Sequence, residues 1–358
     1  MKILIIKLRN IGDVLLVTPV INNLKNYFPA SNIDILLNKG TEEMISLNPN
    51  VNQIYIYDRE SSIQKNFYRR TFHELKFFLS FKRKKYDIVI NLTEGDRGAF
   101  ITKIIKPRTS LGYKNKNRLL SSVYTKNLPK QGLRHTIDAN LDALRLLDIP
   151  ILSKKVDIFS TPEDDEFIVK KINSVTNFVH IHPVSRWLFK CVSNSTMANI
   201  IDFIEHELQI RVILTAAPVK NEIKKVKSIC SLVKTKPIDL SGQLTLKQIV
   251  ALNKRANLFI GVDTAIMHIS AANDTPVLSF FGPSGAHHWG PWDNELMKST
   301  YSKVNGFQLM GKHRVISENR ICQPCGKDGC NGSKVSDCLM DMDLEKIKDT
   351  IREMINGR

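Results

Sequence analysis

The sequence has no apolar stretch approaching the roughly 20 residues that a bilayer-spanning helix needs, so a helical membrane protein is not expected. It has no G-x-G-x-x-G, and nothing in it points to a nicotinamide cofactor. No repeat of solenoid period and no low-complexity tract occurs, which sets aside repeat arrays and disordered tails. Basic residues are plentiful, but no nucleic-acid-binding module or set of base-stacking aromatics accompanies them, so no nucleic-acid partner is expected. The N-terminus opens into a strand-like run, with no signal-peptide h-region or cleavage site, and a cytoplasmic chain is the expectation. At 358 residues two domains are the natural reading, each large enough to bury a core. A hydrophobic share of 42% and a charged share of 24% suit a soluble globular protein.

What is present is most telling between Leu258 and Pro283. An apolar run, Leu258 to Ile260, stops at Gly261; the polar turn Val262-Asp263-Thr264 follows, and then a small-residue helix carrying His268. A second apolar run, Val277 to Phe281, ends at Gly282-Pro283. In open parallel sheets ligands bind outside the carboxyl ends of the strands. A helix start adds unpaired N–H groups and a positive dipole end suited to phosphate. Asp263, Thr264 and His268 are therefore placed to hold an anionic ligand. The opening segment has the same design: strand Met1 to Leu8, turn Arg9 to Asp13, helix Val14 to Phe28, with a kink or late start expected at Pro19. Asp13 sits where a carboxylate can cap orphan N–H groups, and capping alone would account for it.

Alternation continues along the chain. In the first half strands are predicted at Lys2–Leu8, Ile33–Leu37, Gln53–Tyr57, Ile88–Asn91 and Thr109–Gly112. The accompanying helices are Val14–Tyr27, Thr41–Leu47, Phe67–Lys84, Gly98–Ile105 and Thr136–Leu147. In the second half strands are predicted at Phe178–His182, Arg211–Thr215, Pro237–Asp239, Leu258–Ile260 and Val277–Phe281. Helices there are Asn194–Glu207, Val219–Val233, Leu246–Arg255 and the closing amphipathic Leu344–Ile355. Such alternation implies α/β domains with parallel sheets covered on both faces. Pro150 to Ser160 reads as the bridge, giving domains at 1–160 and 161–340 and a C-terminal helix at 341–358.

Three segments in register, Lys7–Pro19, His182–Cys191 and Gly261–His268, resemble glycosyltransferase family 9, which contains the ADP-heptose:lipopolysaccharide heptosyltransferases. Ile5 to Arg9, Asn91 to Thr93, Arg186 to Cys191 and Trp289 to Trp292 are most similar to the heptosyltransferase III branch. The resemblance spans Met1 to about Asn294. It implies a GT-B fold, two Rossmann-like domains facing across a cleft, with the acceptor on the first and the nucleotide-sugar on the second. It further implies inverting transfer of L-glycero-D-manno-heptose from ADP-heptose to a heptose of the lipopolysaccharide inner core, with no cofactor required. A heptosyltransferase I or II, or a family member with another core acceptor, is the alternative.

By the same resemblance Asp13 is the base that takes the acceptor proton, or the group that orients the acceptor. Lys190 matches the diphosphate lysine, and Ser185 and Arg186 precede it as donors to the same oxygens. Thr264 and adjacent amides face phosphate, Asp263 anchors the loop or meets heptose hydroxyls, and His268 contacts phosphate or sugar. Glu222 either accepts from the adenosine ribose hydroxyls or simply completes a helix dipole. Leu244 lines the adenine slot. A non-catalytic sugar-nucleotide binder is disfavoured because Asp13 is present; an epimerase of the same shape is disfavoured because the Gly261–His268 pattern differs.

Two features stand outside that pattern. Fifty-two Lys+Arg against 35 Asp+Glu leave +17, clustered at Lys65–Arg70, Lys82–Lys85, Lys103–Lys116 and Lys220–Lys236. Besides a solvated basic surface, this suits docking of the first half on the anionic cytoplasmic face of the inner membrane, at about 1 kcal/mol per basic residue near the leaflet. A lipid-anchored acceptor fits that location. Cys322, Cys325, Cys330 and Cys338 have spacing that suits four thiolates on a structural zinc, or reduced thiols in a packed loop. The chemistry needs no metal, so zinc is not the preferred expectation.

Overall fold

The computed structural model describes residues 1–58 and 67–357, with backbone only for residues 67–71 and 73. Of the basic cluster Lys65–Arg70, Lys65 and Asn66 lie outside the described residues. The chain forms two units, Met1–Asp157 and Ile158–Arg358.

The first unit carries strands β1 (Lys2–Lys7), β2 (Asn32–Asn38), β3 (Gln53–Tyr57), β4 (Ile88–Asn91), β5 (Thr109–Tyr113) and β6 (Lys126–Leu128). They form one sheet in the order β3-β2-β1-β4-β5-β6, all pairs parallel. Central strands covered on both faces must be apolar throughout. Ile3, Leu4, Ile5 and Ile6 of β1 are accordingly all fully buried. Its helices are α1 (Ile11–Leu15), α2 (Thr18–Tyr27), α3 (Phe67–Ser80), α4 (Asp96–Ile105), α5 (Thr136–Asn140) and α6 (Asp142–Leu146). The helix expected over Val14–Tyr27 is two, because Pro19 lacks an N–H and fits only the first turn of α2. The helix expected at Thr41–Leu47 is a single 3-10 turn, Glu42–Met44. Seven residues ahead of Pro49 are too few to repay helix nucleation.

The second unit carries β7 (Phe178–His182), β8 (Arg211–Leu214), β9 (Ile238–Asp239), β10 (Leu258–Val262), β11 (Val277–Phe280), β12 (Gln308–Met310) and β13 (His313–Ile316). The sheet order is β12-β13-β11-β10-β7-β8-β9, parallel except for the β12–β13 hairpin. Its helices are α7 (Pro162–Lys171), α8 (Asn194–Asp202), α9 (Lys220–Cys230), α10 (Leu246–Asn253), α11 (Ala265–Ala272), α12 (Ala286–Trp289) and α13 (Leu344–Asn356). Thr161 begins α7 with a reciprocal cap, its hydroxyl accepting from Asp164 N–H while Asp164 accepts from Thr161 N–H. The apolar stripe of α13, Ile347, Ile351 and Met354, is buried in the core of this unit beside β7, β8 and α8.

Both sheets have the doubly wound order in which the chain reverses direction beside its first strand. That switch lies between β1 and β4 in one sheet and between β7 and β10 in the other. No helix among the described residues is long and apolar enough to cross a membrane.

Candidate active site

Eight of the nine predicted site residues fall in the second unit, at or just beyond the carboxyl ends of four neighbouring strands, β10, β7, β8 and β9. Hydrophobic patterning fixes the strands, and the polar residues that follow them are gathered at one edge of the sheet.

At the end of β10, Gly261 pairs with His182 of β7. A Cβ on Gly261 would stand 2.7 Å from the Phe259 ring and 2.9 Å from the His182 carbonyl oxygen, so only glycine lets the strands approach this closely. Asp263 follows, buried, and its Oδ2 accepts from Lys190 Nζ at 2.6 Å and from Ser284 Oγ at 2.6 Å. This ion pair ties the loop after β7 to the loop after β10. Thr264 is the N-cap of α11, with extended backbone at φ −144° and ψ 169°. Its Oγ1 is buried and has no hydrogen-bond partner among the described residues. A buried hydroxyl left unpaired costs free energy that a ligand can recover. His268 lies about one turn further along α11, also buried.

Ser185, buried, accepts the Trp187 N–H at 3.2 Å and shapes the turn leaving β7. Arg186 is exposed, with its guanidinium 5.4 Å from the centre of the Trp187 ring. Trp187 is half-exposed and stacks on Phe189, ring centres 6.1 Å apart. Glu222 in the first turn of α9 is buried, and its carboxylate accepts the Ala217 N–H at 3.0 Å. Burial raises its pKa, and the Ala217 N–H opposes that rise. Leu244 is half-buried against the cluster that contains Ile238, Leu240 and Ala251.

Beneath these loops is a pair of histidines to which the sequence reading gave no role. His180 bridges Asn253 Oδ1 and Thr215 Oγ1, each at 2.7 Å, and His182 Nδ1 meets the same threonine oxygen at 2.9 Å. Burial lowers their pKa values to about 4 and about 3, so both rings are neutral at pH 7. One hydroxyl thus joins β7 to the end of β8, with Asn253 of α10 fixing the outer ring. The signal was present as His-Ile-His in a strand, where spacing of two puts both imidazoles on the same face.

The ninth residue, Asp13, lies in the first unit, on α1 immediately after β1. Its Oδ2 accepts the Asn10 N–H at 3.3 Å, and the side chain is half-buried. Beside it is Lys7, whose buried Nζ donates to Leu92 O and to Asn140 Oδ1, both at 3.2 Å. Burial lowers the Lys7 pKa to about 8, while the nearby Asp13 carboxylate raises it and Arg9 lowers it further. Across the switch point Thr93 Oγ1 accepts the Leu8 N–H at 2.8 Å, and Asn91 Oδ1 accepts the Thr93 N–H at 3.1 Å. The predicted Asn91–Thr93 segment therefore clamps β1 to β4 just beneath the Asp13 turn. Sequence reasoning placed Lys7 within the strand Lys2–Leu8 and gave its ammonium no role.

The four clustered cysteines are all free thiols, ranging from exposed Cys322 to buried Cys338. Burial, followed by the nearby Cys330, pushes the Cys338 thiol up to about 11, with Cys325 and Cys322 also close enough to contribute. Among the described residues no group of three or more His, Cys, Asp or Glu is arranged to hold a metal ion.

The second unit therefore offers helix-start amides, an unpaired hydroxyl and a lysine at one sheet edge, which is the donor set a diphosphate requires. The first offers a carboxylate at a sheet switch point, with a buried ammonium beside it. The sequence profile of glycosyltransferase family 9 (heptosyltransferase) matches residues 74–307. The chain is 31% identical over 294 residues to lipopolysaccharide heptosyltransferase 3 of Escherichia coli, covering 80% of this chain and 85% of that one. The solved structure of a family 9 glycosyltransferase from Veillonella parvula superposes with a TM-score of 0.80 at 19% identity, over 100% of this chain and 97% of the other. An Escherichia coli heptosyltransferase solved with ADP gives a TM-score of 0.71 at 17% identity, covering 99% of this chain and 100% of its own. A profile match over more than half of the chain, joined to a relative above 30% identity, establishes that the protein belongs to glycosyltransferase family 9 and is a glycosyl-transferring enzyme of the GT-B class.

Proposed function

We propose that the protein transfers L-glycero-D-manno-heptose from ADP-heptose onto a heptose of the lipopolysaccharide inner core, as a heptosyltransferase of the III type. The observation that carries this reading is the convergence of Lys190, Asp263 and the unpaired Thr264 hydroxyl at the start of α11. Its specific form draws on the relative named lipopolysaccharide heptosyltransferase 3 and on the neighbour solved with ADP.

In this mechanism the ADP diphosphate takes the α11 amides and Thr264 Oγ1, and Lys190 turns from Asp263 to the phosphate oxygens. Asp263, relieved of its cation, accepts from the heptose hydroxyls. Ser185 and Arg186 donate to the same phosphate oxygens, His268 contacts phosphate or sugar, Glu222 accepts from the ribose hydroxyls and Leu244 lines the adenine. Asp13 takes the proton of the acceptor hydroxyl as that oxygen bonds to the anomeric carbon. The bond from that carbon to the phosphate oxygen breaks on the opposite side, ADP leaves with the electron pair, and the anomeric centre inverts. General-base assistance contributes roughly 10²–10⁴-fold, and the fixed donors stabilise the leaving charge.

No cofactor enters this scheme. We assign the acceptor to a lipid-anchored core and the working location to the cytoplasmic face of the inner membrane, where the +17 net charge favours an anionic surface. The test incubates purified protein with ADP-heptose and truncated core acceptors of increasing heptose number, followed by mass and linkage analysis. Addition of one heptose to a core already carrying two is the expected result. Addition to a heptose-free core assigns the type I reaction instead, and no addition to any acceptor overturns the proposal.

A further inference from the structure

Helix α3 has an outer face that water does not explain. Its inner face is ordinary: Phe77 and Phe78, with Phe81 just beyond its end, pack into the core formed by Leu4, Ile6, Leu36, Val89 and Ile101. On the opposite side Phe72 is 72% exposed, Leu75 41% and Leu79 46%. Spacings of three and four residues put these three on one stripe of the helix. Phe100 of the neighbouring α4 is also exposed, at 38%, and meets Phe78 edge-on with ring centres 5.8 Å apart.

Cations flank the stripe, Lys76 on the helix and the others just beyond its end. Lys76, Lys82, Arg83 and Lys85 are all exposed. The sole acid from Phe72 to Lys85 is Glu74, which accepts from the Tyr57 hydroxyl at 2.7 Å and is turned toward the core side. A contiguous apolar patch on a soluble protein marks a contact surface. An exposed Phe and Leu stripe with Lys76 beside it, running into the exposed basic turn Lys82–Arg83, is the composition of an element that lies in a membrane interface. An acidic protein partner would meet the cations, but it would leave the apolar stripe of a convex helix without a matching groove. An anionic bilayer satisfies both, with rings and leucines at the acyl boundary and cations at the phosphates.

We propose that the outer face of α3, through Phe72, Leu75, Leu79 and Lys76, together with Lys82 and Arg83 of the turn that follows it, is the element that inserts into an anionic membrane surface. This deepens the reading of a lipid-anchored acceptor and rests on it for its purpose, not for its physics.

The test is co-sedimentation of the full-length protein with phosphatidylcholine vesicles, with and without phosphatidylglycerol. Two variants are compared with the wild type, F72S/L75S/L79S and K76E/K82E/R83E. These side chains are exposed, so near-wild-type circular dichroism is expected of both. Wild type binds the mixed vesicles, the triple serine variant binds at least about tenfold more weakly, and the charge-reversed variant loses binding and its dependence on salt. Transfer to a delipidated soluble acceptor stays at the wild-type rate in the serine variant, and transfer to vesicle-embedded acceptor falls. Equal vesicle binding by the serine variant and wild type overturns the insertion proposal. So does conversion of a wild-type dimer to monomer by the serine substitutions without any vesicle binding. Failure of the wild type on every soluble acceptor instead overturns the transferase reading and leaves the vesicle result standing by itself.

Discussion

Replacing Lys7 with Met should flatten one segment of the stability-versus-pH curve. The Lys7 ammonium is buried, and burial lowers its pKa from 10.5 to about 8, a difference that corresponds to roughly 3 kcal/mol. The sign follows from proton counting. Below pH 8 the ammonium is charged in both folded and unfolded chains, and the folded state bears the full burial cost. Between pH 8 and 10.5 the folded protein has released the proton and the unfolded chain still holds it, so stability rises with pH. Other lysines also discharge over this range and relieve repulsion, since the chain carries +17. The difference between wild type and variant cancels that background. At pH 7 the variant loses the burial cost but strips the donor from Leu92 O and Asn140 Oδ1, each worth about 1–3 kcal/mol, so its net stability is close to wild type. Urea denaturation at pH 7, 8, 9 and 10 measures the difference. Wild type should gain on the variant by about 3 kcal/mol, most of it above pH 8. Parallel curves for the two proteins would refute a buried, charge-stressed Lys7.

Other substitutions test the second unit. Thr264→Val removes a hydroxyl with no partner among the described residues, so stability should hold within about 1 kcal/mol while ADP affinity falls roughly tenfold or more, read by calorimetry. Gly261→Ala forces a Cβ into the Phe259 ring and the His182 carbonyl and should cost about 1–3 kcal/mol in thermal or urea unfolding. His180 and His182 have folded pKa values below the usual histidine range, so stability is full above pH 6.5 and falls as the pH drops toward 4. These two rings should therefore add about two protons to the uptake on unfolding at pH 5 relative to pH 8, and the buried His313, also lowered to about 3, about one more, measurable from the pH dependence of urea midpoints.

The legible part of this protein was whatever rests on periodicity and turn chemistry. Continuous apolar runs gave β1, β4, β7, β10 and β11 to within one or two residues, because strands buried on both faces must be apolar throughout. The three-residue strands β6 and β12 lack the length to show a period, and they stayed unread. Helix α2 begins late for a reason visible in the sequence, Pro19, and Thr41–Leu47 was already short for a helix ahead of Pro49; the bond of Thr41 Oγ1 to Asn38 O at 2.8 Å, which helps hold it to one turn, was not visible. The candidate site divides in the same way. Asp263 and Thr264 could be placed because a strand-to-helix junction positions whatever follows the glycine. The shared Thr215 hydroxyl and the Lys7 cradle could not, since they join residues 33 to 133 positions apart through the sheet.

The proposed mechanism divides the labour: the carboxylate of Asp13 acts on the acceptor, and the Lys190–Asp263–Thr264 corner holds the diphosphate. Single-turnover transfer by Asp13→Asn, paired with ADP calorimetry on the same preparation, tests it most directly. Transfer should fall by at least about 10²-fold while the ADP dissociation constant stays within about twofold of wild type. Transfer at the wild-type rate, or loss of ADP binding together with transfer, would contradict it.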